Sequence, residues 1–141
     1  MDCKSMATPM NSNLKLLCDD TSEPFDPTMY RQLIRSLMYL VNTRPDICFV
    51  VNALSQYMVA PRYVHWIAAK HMIRYLKGNI GYGLSYVSDR KMELLGYTNS
   101  DWAGSATDRK STSGCCFSLG SSIISWYCRK QTSFALSMAE P

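Results

Sequence analysis

The spacing of apolar residues changes once along this chain, at Gly78, and this change limits the possible folds more than any other feature. Before Gly78, apolar side chains recur at intervals of three and four residues, which places them on one face of an α-helix. After Gly78, they occur in short runs separated by Gly, Ser and charged residues, as in strands joined by turns. The sequence therefore predicts helices first and a sheet second.

Three helices are predicted between Asp26 and Gly78. Asp26 is a good N-cap, and Pro27 fits the first helical position, where its missing N–H costs nothing. The apolar stripe of the first helix consists of Tyr30, Leu33, Ile34, Leu37 and Val41. The stripe of the second consists of Ile47, Val50, Val51, Leu54 and Met58. A third helix is predicted from about Pro61 to Leu76, with Gly78 just after its end.

Four short strands are predicted after Gly78. Their ranges are 83–87, 92–98, 114–119 and 123–128. The last two are joined by a Gly-Ser-Ser segment that is typical of a hairpin turn. Ser137 and Glu140 then form the S-x-x-E pattern that opens a helix, and the sequence ends at Pro141, so one sheet face is expected to stay uncovered. The predicted class is α+β: a small three-helix subdomain followed by an incomplete antiparallel β-sheet.

Composition excludes several classes of protein. Hydrophobic residues make up 47% and charged residues 18% of the chain, which allows a packed core and disfavours wholesale disorder. No segment reads as a membrane span, and the N-terminus lacks the apolar core of a signal peptide. We therefore expect an intracellular protein with no membrane partner, in the cytoplasm or nucleus, with an organelle as a further alternative. The six cysteines include no C-x-x-C pair, which favours free thiols over the alternative of disulfides.

The charge of the chain is distributed unevenly. Residues 1–27 hold five acids and two lysines, whereas the rest of the chain holds thirteen basic and six acidic residues. A basic body of this kind is compatible with a polyanionic partner.

Several short motifs follow one another in a recognisable order. In the helical part they are YRQLI (30–34), LMYL (37–40), TRPDI (43–47), HWIAAK (65–70) and RYLKG (74–78). In the second part they are GYTNSDWAG (96–104), DRKSTSG (108–114), ISW (124–126) and ALS (135–137). Together they resemble the polymerase polyprotein of copia-type retrotransposons, and the resemblance covers nearly the whole chain.

The resemblance implies three regions. Residues 1–25 are expected to be a linker or lead-in, residues 26–78 the helical segment that follows the reverse-transcriptase palm, and residues 79–141 a truncated ribonuclease H-like domain. The parent family carries out RNA-dependent DNA synthesis and hydrolyses the RNA strand of RNA–DNA hybrids. The paired aspartates of the polymerase are expected upstream of Met1, and further ribonuclease H acids downstream of Pro141, so the rest of the polyprotein is expected to be missing.

The resemblance also implies carboxylates that hold two Mg²⁺ ions in the parent family. The catalytic aspartate of the first strand corresponds to Asn99, whose amide brings no charge to a site that depends on carboxylates. Asp101 is the other aspartate of that motif and lies two residues on, on the same strand face if the strand is regular. Glu140 matches the first-helix glutamate, although it also completes a capping box with Ser137. Asp101 and Glu140 are therefore weak candidate metal ligands, and we expect no bound Mg²⁺ in this chain.

Two groups of residues are candidates for binding nucleic acid. On the third helix, at spacing i, i+4 and i+7, they are Lys70, Arg74 and Lys77. In a turn that resembles one gripping the hybrid in the family, they are Arg109, Lys110 and Ser111. Cations on one helix face suit contacts to phosphates, which need no base-specific chemistry. A solvated helix face and an ordinary polar loop are the structural alternatives.

The chain is thus interpreted as a truncated, inactive fragment of a copia-type polyprotein. A second hypothesis is a non-catalytic module that binds RNA–DNA hybrid or another nucleic acid. A third is a relic without a biochemical role.

Overall fold

The structure, a computed structural model, describes residues 3–10, 21–88, 91–100 and 110–132. The chain forms two compact units that divide between Gly83 and Leu84, and each is described by itself. We call them the helical unit and the sheet unit.

The helical unit contains the three helices that the periodicity predicts. They are α1 (Pro27–Leu40), α2 (Cys48–Ser55), which a 3₁₀ turn (Pro45–Ile47) precedes, and α3 (Tyr63–Gly78). As predicted, Asp26 is the N-cap of α1, where its carboxylate accepts the Thr28 N–H at 2.8 Å. Gly78 is the last residue of α3 rather than a residue just after its end, because the helix continues two residues past the predicted end at Leu76.

Most of the core of the helical unit comes from the two predicted stripes, and α3 adds the rest. The buried apolar residues of this core are Tyr30, Ile34, Leu37, Ile47, Val50, Val51, Leu54, Ala69, Met72 and Tyr75. The Tyr30 hydroxyl donates to the Leu54 carbonyl at 2.9 Å, so the buried phenol is satisfied, and burial raises its pKa. This bond ties α1 to α2 inside the core.

A partly buried ion pair fixes the entry to α2 against the end of α3. Arg44 donates to both carboxylate oxygens of Asp46, at 2.9 and 2.7 Å, and to the Asn79 carbonyl at 3.2 Å. The Tyr75 hydroxyl donates to the same carboxylate at 2.9 Å. Hydrogen bonding from Arg44 lowers the pKa of Asp46, the same bond raises the pKa of Arg44, and burial raises the pKa of Tyr75. The TRPD motif is therefore a structural clamp.

The first turn of α3 is fixed from two directions. The Arg62 N–H donates to Nδ1 of the buried His65 at 2.9 Å, and the His65 ring stacks on Tyr57 with centroids 3.8 Å apart. The Tyr63 N–H donates to the Glu23 carbonyl at 2.8 Å, which ties the chain before α1 to the same turn. The orientation of α3, and of the side chains on its outer face, follows from these bonds.

The sheet unit holds three antiparallel strands in the order β1 (Leu94–Ser100), β2 (Thr112–Leu119) and β3 (Ser122–Lys130). Gly120 turns the β2–β3 hairpin at φ 60°, a conformation that glycine adopts without strain. The antiparallel sheet and this hairpin confirm the predicted α+β class. All residues of β1 are exposed.

One predicted strand is wrong. Residues 83–87 have no regular secondary structure, although their composition favours a strand. Their bonds to the β2–β3 hairpin involve side chains: Tyr86 Oη donates to the Ile123 carbonyl, the Val87 N–H donates to Ser121 Oγ, and Ser122 Oγ donates to the Ser85 carbonyl. Without a backbone ladder, the local preference for extended structure does not make a strand. The helix predicted from Ser137 lies outside the described residues.

Among the described residues, no helix is long and apolar enough to cross a membrane. The cysteines that the structure describes are all free thiols.

Candidate nucleic-acid interface

The outer face of α3 carries the three cations that the sequence singled out. Ala69, Met72 and Tyr75 bury one side of the helix in the core. The basic face, which we define as Lys70, Arg74 and Lys77, lies on the opposite side because these residues are about half a helical turn away from the core positions. The structure therefore brings these three candidates together on one surface.

Lys70 offers a point of contact for a ligand on the basic face. It is exposed, and its ammonium lies 5.1 Å from the centroid of the Trp66 ring. Trp66 is in turn stacked on Phe25, with ring centroids 4.5 Å apart. The cation–π contact orients Lys70 without neutralising its charge.

Arg74 and Lys77 are engaged by the start of the chain. Arg74 Nε donates to the Lys4 carbonyl at 2.7 Å, and Lys77 Nζ donates to the Cys3 carbonyl at 3.1 Å. We call residues 3–8 the N-terminal strap, because they run along the basic face. A carbonyl satisfies one hydrogen-bond donor but supplies no negative charge, so the strap does not replace an anionic partner of these cations.

Further contacts hold the strap in place. The Met6 N–H donates to the Arg74 carbonyl at 3.3 Å, and His71 Nε2 lies 2.9 Å from the Thr8 carbonyl oxygen. The Met6 side chain packs partly buried against the core of the helical unit. Gly78 allows the close approach, because a Cβ there would lie 2.8 Å from Ser5 Cβ. These are contacts that sequence reasoning missed, since residues 1–25 have no periodic pattern; the only local signal was Gly78.

The turn candidates are less accessible. Arg109 lies outside the described residues. Lys110 is half-buried, and Ser111 is only 3% exposed, with its carbonyl accepting the Gln131 N–H at 2.8 Å. In this conformation, Ser111 does not present its hydroxyl to a phosphate.

The family's catalytic position falls near the end of β1. Asn99 is exposed and paired with Gly114 of β2, which is paired in turn with Cys128 of β3. Among the described residues of the sheet unit, the only carboxylate belongs to Glu93. Asp101 and Glu140 lie outside the described residues.

The donors around Asn99 are not the ligands that a pair of Mg²⁺ ions requires. Mg²⁺ is held by carboxylate and other oxygens, whereas the described cross-strand neighbours of Asn99 offer a glycine and a thiol. Across the described ranges, no group of three or more His, Cys, Asp or Glu side chains could hold a metal ion. The residues that the structure describes do not fit the two-ion site that the resemblance implies.

Comparison with known proteins gives relatives along nearly the whole chain. The chain is 40% identical over 140 residues to a retrovirus-related Pol polyprotein from transposon RE2 of Arabidopsis thaliana, and 37% identical over 140 residues to an uncharacterized mitochondrial protein of the same plant. These matches cover 99% of this chain but only 10% and 58% of the two relatives. A secreted RxLR effector protein of Plasmopara viticola is 41% identical over 112 residues, which is 79% of each chain.

No family model matches the chain, and no solved structure matches it. The match to the RE2 polyprotein spans 99% of this chain. The chain therefore belongs to the copia-type retrotransposon Pol polyproteins, as a fragment of one.

Proposed function

We propose that this chain is a non-catalytic part of a transposon Pol polyprotein. In this proposal the helical unit is the segment that follows the reverse-transcriptase palm, and the sheet unit is the opening part of a ribonuclease H-like domain. The parent polyprotein synthesises DNA from an RNA template and hydrolyses RNA in hybrids; the chain by itself does neither. Family membership supports the ancestry, and the order of helices and strands agrees with it.

The observation that carries the proposal is the amide at position 99. Two-metal hydrolysis needs carboxylates that hold both ions about 4 Å apart, so that one ion activates water and the other stabilises the leaving oxygen. Asn99 contributes a neutral oxygen at the position where the family has an aspartate, and residues 84–141 contain only five acids in all. Among the described residues of the sheet unit, Glu93 supplies the only carboxylate, so those residues offer too little negative charge to hold a pair of divalent cations.

The test is hydrolysis of a labelled RNA–DNA hybrid by the purified chain in the presence of Mg²⁺. We expect no metal-dependent cleavage by the native chain. Asn99→Asp should also stay inactive, because one restored carboxylate does not complete a two-ion site. Metal-dependent cleavage that Glu140→Gln abolishes would contradict the proposal.

A second candidate function, binding of nucleic acid without catalysis, is favoured by the basic face. Within the described ranges, no carboxylate forms an ion pair with any of its three cations; the ion pair in those ranges joins Arg44 and Asp46. The positive charges of this face suit phosphates, whose contacts are sequence-independent and weaken as salt rises. RNA–DNA hybrid and DNA duplex both present such phosphates.

This function predicts weak binding to a mixed-sequence DNA duplex at low salt, with affinity that falls as salt is added. Lys70→Ala should weaken binding about threefold, as loss of one phosphate contact does. Arg35→Ala is the matched control, because Arg35 is an exposed cation on α1, whereas the basic face belongs to α3. No binding at low salt, or equal losses in both variants, would contradict this function.

A further inference from the structure

The strap and a nucleic-acid backbone would use the same donors on α3. Arg74 Nε and Lys77 Nζ, which the binding function assigns to phosphates, already donate to the Lys4 and Cys3 carbonyls. The covering segment is bound through four polar contacts and the partly buried Met6 side chain. We infer that residues 3–8 act as a displaceable cover that competes with nucleic acid for Arg74 and Lys77.

Electrostatics favour exchange once a polyanion is near. A hydrogen bond from a cation to a neutral carbonyl is weaker than one to a phosphate oxygen, which is charge-assisted on both sides. The strap itself carries Lys4, so a phosphate at the basic face would be attracted to the strap as well as to α3. Because Lys70 stays exposed, it offers a first contact before the strap leaves.

The strap also has an attachment that can be weakened without touching a cation. Ser5 passes Gly78 so closely that any side chain at position 78 must displace it. Gly78 lies within α3 and has no positive φ, so a residue with a side chain fits the helix there and improves its propensity. We therefore expect Gly78→Gln to displace the strap without adding a charge.

Gly81→Gln is the matched control. A Cβ at Gly81 would meet nothing within 4 Å, so the same side chain is added three residues away in open space. Displacement of the strap is measured by hydrogen exchange at the Met6 amide, which donates to Arg74 in the native chain. We expect faster exchange at Met6 in Gly78→Gln and native exchange in Gly81→Gln.

Binding is measured with the mixed-sequence DNA duplex over a series of salt concentrations. This inference rests on the binding function proposed above. Gly78→Gln should bind about tenfold more tightly at low salt, because two cations gain phosphate partners. The slope of log K against log salt should steepen by about 0.9 for each added contact. The control should keep the native affinity and slope.

A second pair of variants tests the geometry of the contact. Gly78→Ala should displace the strap through its Cβ alone, and adding Ser5→Gly should restore slow Met6 exchange by removing the atom that it meets. Restoration in the double variant supports the inference. Native Met6 exchange in Gly78→Gln would overturn it, since the strap would then not lie against Gly78.

The two proposals fail in different ways. If no variant binds DNA at low salt, the binding function fails, and with it the competition. If the native chain binds, and Gly78→Gln speeds Met6 exchange without changing affinity or salt slope, only the competition is overturned. Weaker binding by Gly78→Gln would also overturn it, because the strap would then be part of the binding surface.

Discussion

The helical unit and the sheet unit differ in how much apolar surface they bury. Among the described residues, all ten apolar core residues belong to the helical unit. Of the sheet-unit residues that the structure describes, Ser111 and Ser122 are buried, while Leu94, Tyr97 and Phe117 are between 43% and 63% exposed. A region of a protein can therefore satisfy its backbone hydrogen bonds without enclosing an apolar core.

The physical reason is the number of layers. Three helices can turn their apolar stripes toward one another and enclose a core within about fifty residues. A sheet satisfies its backbone through its ladders but has two faces, and each apolar face needs a second layer to leave water. The sheet unit has its ladders, whereas the side chains on its strands are largely left at the surface.

The largest expected effect comes from removing a buried side chain from the core of the helical unit. Ile34 is fully buried, so Ile34→Ala should lower the free energy of unfolding of the helical unit by about 3 kcal/mol. Leu94→Ala, on an exposed strand, should change the stability of the sheet unit by about 0.5 kcal/mol or less. Hydrogen exchange resolved along the chain in denaturant measures both. Equal losses of unfolding free energy in the two variants would show that the sheet unit has a core like that of the helical unit.

A smaller effect is expected at the Arg44–Asp46 clamp. Asp46→Asn leaves the nearly buried Arg44 guanidinium without its anionic partner and should destabilise the helical unit by about 2 kcal/mol. Glu93→Gln is the control, because it also removes one carboxylate but lies at an exposed position of the sheet unit. If Asp46→Asn unfolds at the same denaturant concentration as the native chain, the clamp contributes nothing to the stability of the helical unit.

The same clamp predicts a dependence on acid. Because Arg44 lowers the pKa of Asp46 in the folded chain, the unfolded state binds a proton more readily. The resulting stability is present above the unfolded pKa of about 4 and is lost as pH falls through the folded pKa. As pH is lowered across this range, the denaturant concentration at the unfolding midpoint should fall more steeply for the native chain than for Asp46→Asn. Parallel curves would contradict the assignment to Asp46.

The smallest expected effect lies in the β2–β3 hairpin. Gly120→Ala places a side chain at φ 60° and should cost the sheet unit about 1 kcal/mol. Gly83→Ala, which lies outside the sheet unit and where a Cβ would meet open space, should leave the stability of the hairpin unchanged. Chemical denaturation followed by exchange at the hairpin amides compares the two. A neutral Gly120→Ala would mean that the turn adapts to a side chain.

The sequence predicted structure well where a local pattern was sufficient. The stripe from Tyr30 to Leu37 and the Asp26 cap identified α1, because helix periodicity and capping depend on residues a few positions apart. The glycine turn identified the β2–β3 hairpin for the same reason. Residues 83–87 were predicted wrongly as a strand, because strand formation requires a partner that local composition does not supply.

In the candidate site, too, the sequence predicted the features that depend on local spacing and not those that depend on distant residues. Spacing alone placed Lys70, Arg74 and Lys77 on one helix face, and the resemblance pointed to Asn99 as an amide at a carboxylate position. Burial of Ser111 was not visible in the sequence, since it depends on how β2 and β3 begin and end together.

By itself, the sequence determined the order of helices and strands, the family, and the missing charge at position 99. Each of these can be identified from residues that lie close together in the chain. Only the tertiary structure decided what covers the basic face. Arg74 and Lys77 meet carbonyls 70 and 74 positions away in the chain, and a contact over that distance leaves no periodic pattern. Such a contact follows from packing of the whole unit around α3, so it had to be seen in three dimensions.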